Sequence, residues 1–287
     1  MCGPFKSMQA ILRLLEIIFS ALALVIALSM GRIVRPWGIW CDFVWAFCII
    51  VPLVLLVMEA LKWNILLAAF LPNWNDLCCG LTLLCTVMII SASISFGVVF
   101  VCLSCISRII CLVFSLIATG IFLVDSIMQK MKCPSGYLSS LRGVLRTAEA
   151  FIACIILTAA SDYFALWPWT PRPTGMICST IVFFVCLLGT VVIILLHLLK
   201  LLRCLVSFGL NLMELVFNVL AVLLYLLAII LWCYFGYRHY FYYRIHYLGH
   251  PYNCWKCAYA DLNAVTVGAI INLILYIVDL VLSIKAR

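Results

Sequence analysis

Eight long apolar runs, separated by short polar or proline-bearing breaks, set the pattern of this chain. The runs cover residues 11–31, 40–61, 77–101, 106–128, 144–162, 175–198, 209–235 and 262–284. A helix of ~20 apolar residues crosses the ~30 Å hydrocarbon layer of a bilayer, so each run has spanning length. In hydrocarbon every backbone N–H and C=O must be satisfied within the segment, which predicts helix for all eight. The breaks carry turn chemistry: Arg35-Pro36, Pro72-Asn73, Pro134-Ser135-Gly136, Trp167-Pro168 through to Pro173, and Gly249-His250-Pro251. Pro52 falls inside the second run and predicts a kink there. The first run reads as a retained helix and not a cleaved signal, because it is long, carries Arg13 and Glu16, and is followed by seven more.

Composition excludes a soluble protein. Of 287 residues, 68% are hydrophobic and 10% charged, whereas a soluble domain is roughly half apolar and about a quarter charged. The breaks are too short to house a soluble catalytic domain. The fold class is therefore all-α integral membrane. Lys and Arg are retained on the cytoplasmic side. With the N-terminus inside, that side collects Lys6, Arg13, Lys62, Lys130, Lys132, Arg142, Arg146, Lys200, Arg203, Lys285 and Arg287. The opposite side holds fewer, namely Arg32, Arg35, Arg108, Arg172, Arg238, Arg244 and Lys256. Both termini are thus expected in the cytoplasm. The net charge of +8 points to anionic inner-leaflet lipid as a partner, and basic residues scattered between helices argue against nucleic acid.

The chain also repeats itself. Leu12-Arg13-Leu14-Leu15-Glu16 opens the first run and Leu145-Arg146-Thr147-Ala148-Glu149 the fifth. Phe122-Leu123-Val124-Asp125 closes the fourth and Tyr276-Ile277-Val278-Asp279 the eighth. Gly38 precedes Cys41 as Gly175 precedes Cys178. A longer loop at 236–260 accounts for the wider spacing in the second copy. The reading is two tandem four-helix bundles, 1–132 and 142–287, joined by a cytoplasmic linker at 133–141. Four is even, so the repeats run parallel. Arg13, Glu16, Asp125, Arg146, Glu149 and Asp279 then share one depth near the inner boundary. An unpaired charge there is costly unless it snorkels to the headgroups. Two readings follow: an interhelical latch pairing Arg13 with Asp125 and Arg146 with Asp279, or six unlinked interfacial anchors.

With these residues in view, the arrangement resembles paired MARVEL domains and the myeloid-associated differentiation marker family. The similarity is carried by Leu145-Arg146, by Glu149-Ala150-Phe151-Ile152-Ala153-Cys154-Ile155-Ile156 up to Ser161-Asp162, and by Ile270-Ile271-Asn272-Leu273 with Tyr276-Ile277-Val278-Asp279-Leu280-Val281. It covers nearly the whole chain. The resemblance implies a non-enzymatic protein of the plasma membrane concerned with raft-like, cholesterol-rich domains, membrane apposition, vesicle traffic and the cortical cytoskeleton. Other membrane proteins or a second copy of the chain are its implied partners, and no cofactor is implied.

The chain has 17 cysteines. Cys48, Cys85, Cys102, Cys111, Cys154, Cys186 and Cys233 read as small hydrophobes within helices. Cys2, Cys78, Cys79, Cys133 and Cys204 lie at the predicted inner boundary, where S-palmitoylation occurs, or remain plain thiols. The segment 236–260 reads as an external loop rich in Tyr, with His239, His246, His250 and Cys254-Trp255-Lys256-Cys257. Its rings suit the headgroup layer. His246, His250, Cys254 and Cys257 have a spacing that suits zinc, but an oxidising compartment favours a disulfide, with Cys254, Cys257, Cys41 and Cys178 as candidates. Trp37-Gly38-Ile39-Trp40-Cys41 is similar to a claudin signature, yet the loop before it is too short for a claudin ectodomain; it reads as an aromatic interfacial anchor.

No catalytic motif or phosphate loop appears, and no metal or cofactor is expected. His197 stands alone at the inner end of the sixth run. Asn272 and the serines Ser91, Ser93 and Ser95 are the polar groups expected near mid-bilayer, with Asn218 and Glu214 nearer the inner end. Asn218, Asn272 and Glu214 read as interhelical polar contacts. Transport pathways gather ionisable groups at the midplane. The sequence therefore favours a non-catalytic membrane organiser over a small-solute transporter or channel.

Overall fold

The computed structural model describes residues 8–31, 35–62, 74–101, 105–132, 140–167, 171–198, 210–246 and 255–285. Within them lie eight helices: α1 (Met8–Ser29), α2 (Pro36–Ala60), α3 (Trp74–Val99), α4 (Ile106–Lys132), α5 (Leu141–Leu166), α6 (Thr174–Leu198), α7 (Leu210–His246) and α8 (Trp255–Lys285). All eight contain stretches long and apolar enough to cross a membrane.

The helices are built inside-out relative to a soluble bundle. In α1 the buried stripe is Ala10, Arg13, Glu16, Ser20, Ala23 and Ala27, spaced three or four apart on one face. Ile11, Leu14, Ile18, Leu22 and Val25 point outward. Lipid is as apolar as leucine, so burying leucine gains little. Small and polar side chains pack inward instead, where they allow close approach and hydrogen bonding. Pro36 opens α2, where its missing N–H costs nothing. Pro52 sits inside the same helix without ending it. Lys62, at φ 56°, takes the left-handed conformation that closes the helix.

The chain divides into two compact units, with the division at Val144/Leu145 in the first turn of α5. In unit 1, α1 packs on α2 and α4, and α3 packs on the same two, closing a four-helix ring. Trp45 Nε1 donates to Ser115 Oγ at 3.0 Å, and Ser115 meets Ser93 at 2.7 Å, tying α2, α3 and α4 together. In unit 2, Ser179 Oγ of α6 donates to the Ala228 carbonyl of α7, Thr190 of α6 meets Tyr276 of α8 at 2.7 Å, and the Tyr225 and Tyr276 rings pack tilted with centroids 5.2 Å apart.

Two expectations about shape need correction. The segment following residue 235 is not a loop: α7 continues to His246 and spans 37 residues, about 55 Å at 1.5 Å per residue. Its rings hold it in helix by packing on neighbours. Tyr237 OH donates to Asn263 Oδ1 at 2.6 Å, Tyr240 lies 5.4 Å from the Tyr259 ring, and Tyr163 OH meets His239 Nδ1 at 3.0 Å. Trp37 and Trp40 are not lipid-facing anchors, since both are buried, and Trp40 Nε1 donates to Ser91 Oγ. The inward turn of Trp40 follows from the hydroxyl that α3 offers.

Candidate functional site

Each unit buries charged side chains at one end, the end where α1 or α5 begins. In unit 2, Arg146 and Glu149 lie one turn apart on the buried face of α5. Arg146 Nη2 reaches Asp279 Oδ2 of α8 at 2.7 Å and Asn218 Oδ1 of α7 at 2.5 Å, while Nη1 donates to Glu149 Oε2 at 3.2 Å. Asn218 Nδ2 in turn donates to Asp279 Oδ2 at 2.8 Å and to Ser283 Oγ at 3.3 Å. Glu214 Oε1 stands 3.9 Å from Arg146 and 3.8 Å from His197 Nε2, so His197 is not alone. One guanidinium therefore bonds within its own helix and to two others, with Asn218 serving as donor and acceptor between charges. Such a fork suits Arg and no other residue.

Unit 1 starts from the same motif and builds something different. Arg13 and Glu16 are buried on α1, but Arg13 pairs with Glu59 of α2 at 2.5 Å. The Arg13–Asp125 pairing expected from the repeat is thus replaced by an Arg13–Glu59 one. Asp125 lies within electrostatic reach of Arg13 and Glu16, and its Oδ2 accepts from Gln129 Nε2 at 2.6 Å. Gln129 also donates to Thr82 Oγ1, and Thr86 meets Ser126 at 2.6 Å. Glu59, Gln129 and Thr82 escape the sequence reading, which paired the first helix with the fourth by symmetry. Glu59 lies in the last turn of α2, at the depth of Arg13 once α2 runs antiparallel to α1.

The other candidates disperse. Asn272 Nδ2 donates to Tyr225 OH at 2.6 Å, an α8–α7 contact and no part of the Arg146 fork. Cys78 and Cys79 are buried in the bundle and so are not displayed for acylation; Cys2, Cys133 and Cys204 lie outside the described residues. Cys41 and Cys178 are free thiols, whereas Cys257 is disulfide-bonded. Neither Cys41 nor Cys178 is its partner, because both are free. Cys254 and His250 lie outside the described residues. The oxidised Cys257 is unable to ligate zinc, and His246 stacks on Tyr242 at 4.3 Å. Among the described residues, no His, Cys, Asp and Glu grouping could hold a metal ion.

No family model matches the chain, and no solved structure does. Curated relatives match almost end to end. Myeloid-associated differentiation marker-like protein 2 of Xenopus laevis is 26% identical over 99% of this chain and 97% of its own length. Myeloid-associated differentiation marker homolog of Xenopus laevis is 27% identical over 98% and 93%. Myeloid-associated differentiation marker of Homo sapiens is 27% identical over 95% and 86%. These relatives are named as differentiation markers and not as enzymes. With eight membrane-length helices, the chain is a multi-pass integral membrane protein, and over nearly its whole length it is similar to the myeloid-associated differentiation marker proteins.

Proposed function

We propose that this protein is a non-catalytic organiser of the plasma membrane, built as two tandem parallel MARVEL-type bundles with both termini in the cytoplasm. It works by helix packing and lipid contact, and the buried ionic networks close each bundle at the inner face. The observation that carries this reading is the company Arg146 keeps: its fork is taken by Asp279, Asn218 and Glu149. Charges that answer one another in a buried network serve closure, whereas a transport site leaves charge for a passing solute. The outward faces support the same reading, being dominated by Leu, Ile and Val side chains.

Under this reading the partners are membrane lipids, cholesterol and anionic inner-leaflet lipid among them, with other membrane proteins or a second copy alongside. Acylation at Cys2, Cys133 or Cys204 would favour ordered bilayer. The test is reconstitution of the full chain into phase-separating giant vesicles and into proteoliposomes. Partitioning into the ordered phase without ion or solute flux is expected; flux abolished by substituting Arg146 or Asn272 would overturn the organiser in favour of a transporter.

A further inference from the structure

We propose that unit 1 binds internal water at its charged end, in a site lined by Arg13, Glu16 and Ser20 of α1. These residues are 1%, 1% and 0% exposed, and their spacing puts them on one helix face. The Glu59 contact engages Arg13 Nη1. Among the described residues, Arg13 Nε and Nη2, Glu16 Oε1 and Ser20 Oγ are buried and meet no hydrogen-bonding oxygen or nitrogen, the Cys78 thiol being the further group against Arg13. Buried polar groups do not go unanswered in a membrane bundle, where the alternative is hydrocarbon.

The chemistry of the orphans selects the ligand. Guanidinium N–H groups only donate, whereas a carboxyl group accepts when ionised and also donates when protonated. A bare cation is unable to accept from Arg13. An anion would face Glu16, Glu59 and Asp125. Water accepts and donates, and Ser20 Oγ can take either role. Arg13 and Ser20 lie about 10 Å apart along the helix axis, so a short file of waters is required and a single one does not suffice. Ala10 and Ala23 on the same stripe are small, and the α3 groups that face the site are the thiols Cys78, beside Arg13, and Cys85, within electrostatic reach of Glu16. Unit 2 has a side chain in the equivalent role, since Asn218 both accepts from Arg146 and donates to Asp279.

The test is millisecond X-ray radiolysis of the full chain in nanodiscs in isotopically labelled water. Hydroxyl radicals made from bound water label the side chains beside it, whatever their bulk exposure. Cys78 is 4% exposed and within electrostatic reach of Arg13, and Cys186 of unit 2 is 1% exposed. Cys78 should take up label several-fold faster than Cys186, and the Arg13→Leu/Glu16→Leu double variant should lose that excess. Equal rates in the wild type overturn the proposal. So does an excess that survives the double variant, because bulk opening would then supply the water. Should the double variant not fold, water-to-protein magnetisation transfer in the wild type decides: transfer to Arg13 Nε supports the site and its absence overturns it.

Discussion

Arg13 and Arg146 each stand three residues before a buried glutamate, near the start of the first helix of their unit, yet they end in different company. Arg146 lies among α5, α7 and α8, held by Glu149, Asn218 and Asp279. Among the described residues, the ion-pair partner of Arg13 is Glu59, whose side chain is 39% exposed. The difference comes from the third helix of each unit. In unit 2 that helix offers Asn218, which joins the arginine to the aspartate; in unit 1 the α3 residue drawn toward Asp125 is Thr82, and it arrives through Gln129. A shared motif thus fixes the depth of a charge, while the polar residues on the facing helices choose its partner.

The units differ in packing as well. In unit 2, a Cβ at Gly175 would overlap the Phe235 ring and one at Gly189 the Phe217 ring, while one at Gly268 would sit 2.9 Å from Ile156. In unit 1, a Cβ at Gly97 would make ordinary contact with Leu112 at 3.5 Å, and one at Gly120 would meet nothing within 4 Å. Unit 2 seats aromatic rings in glycine notches at Gly175 and Gly189, while hydroxyls join helices in both units.

The largest effect that would sharpen this contrast is removal of the arginines. Arg146→Leu strands Asp279 and Glu149 in a dry interior and should cost ~3–5 kcal/mol, read by unfolding in mixed micelles. Arg13→Leu should cost less, since Glu59 already reaches solvent or headgroups. Next comes Gly175→Ala, expected to cost ~1–3 kcal/mol by overpacking against Phe235. The matching Gly120→Ala should be neutral or stabilising by up to ~1 kcal/mol, because alanine is the better helix former. An equal loss at both glycines would erase the packing difference. Smallest is Ser115→Ala in unit 1, which removes the acceptor for Trp45; at ~0.6 kcal/mol per interhelical hydrogen bond in a membrane, the midpoint should move only slightly.

Much of the fold is legible in the sequence because lipid imposes a strong rule: runs of spanning length become helices, and all eight do. The end of α7 is not legible that way. Hydropathy falls after Phe235 while the helix continues to His246, since Tyr237, His239 and Tyr240 find partners on α8 and α5 that no local window reveals. The ionic residues are readable as a set, because charge inside an apolar run stands out against its neighbours. Their pairing is readable only where symmetry happens to choose the partner. Glu59 was as conspicuous as Asp125, but selecting it requires knowing that α2 flanks α1 at the same depth. The inward turn of Trp40 and the burial of Cys78 and Cys79 depend likewise on which face meets the neighbouring helix.

The most direct test of this account is a pair of double-mutant cycles on unfolding free energy in micelles, one on Arg146 and Asp279, the other on Arg13 and Glu59. The buried network predicts a coupling of about 2–3 kcal/mol for the first pair, toward the upper end for contacting residues, and about 0–1 kcal/mol for the second, whose glutamate is 39% exposed and so screened. Equal couplings, or a first pair near zero, would contradict the claim that a closed charge network holds unit 2 together.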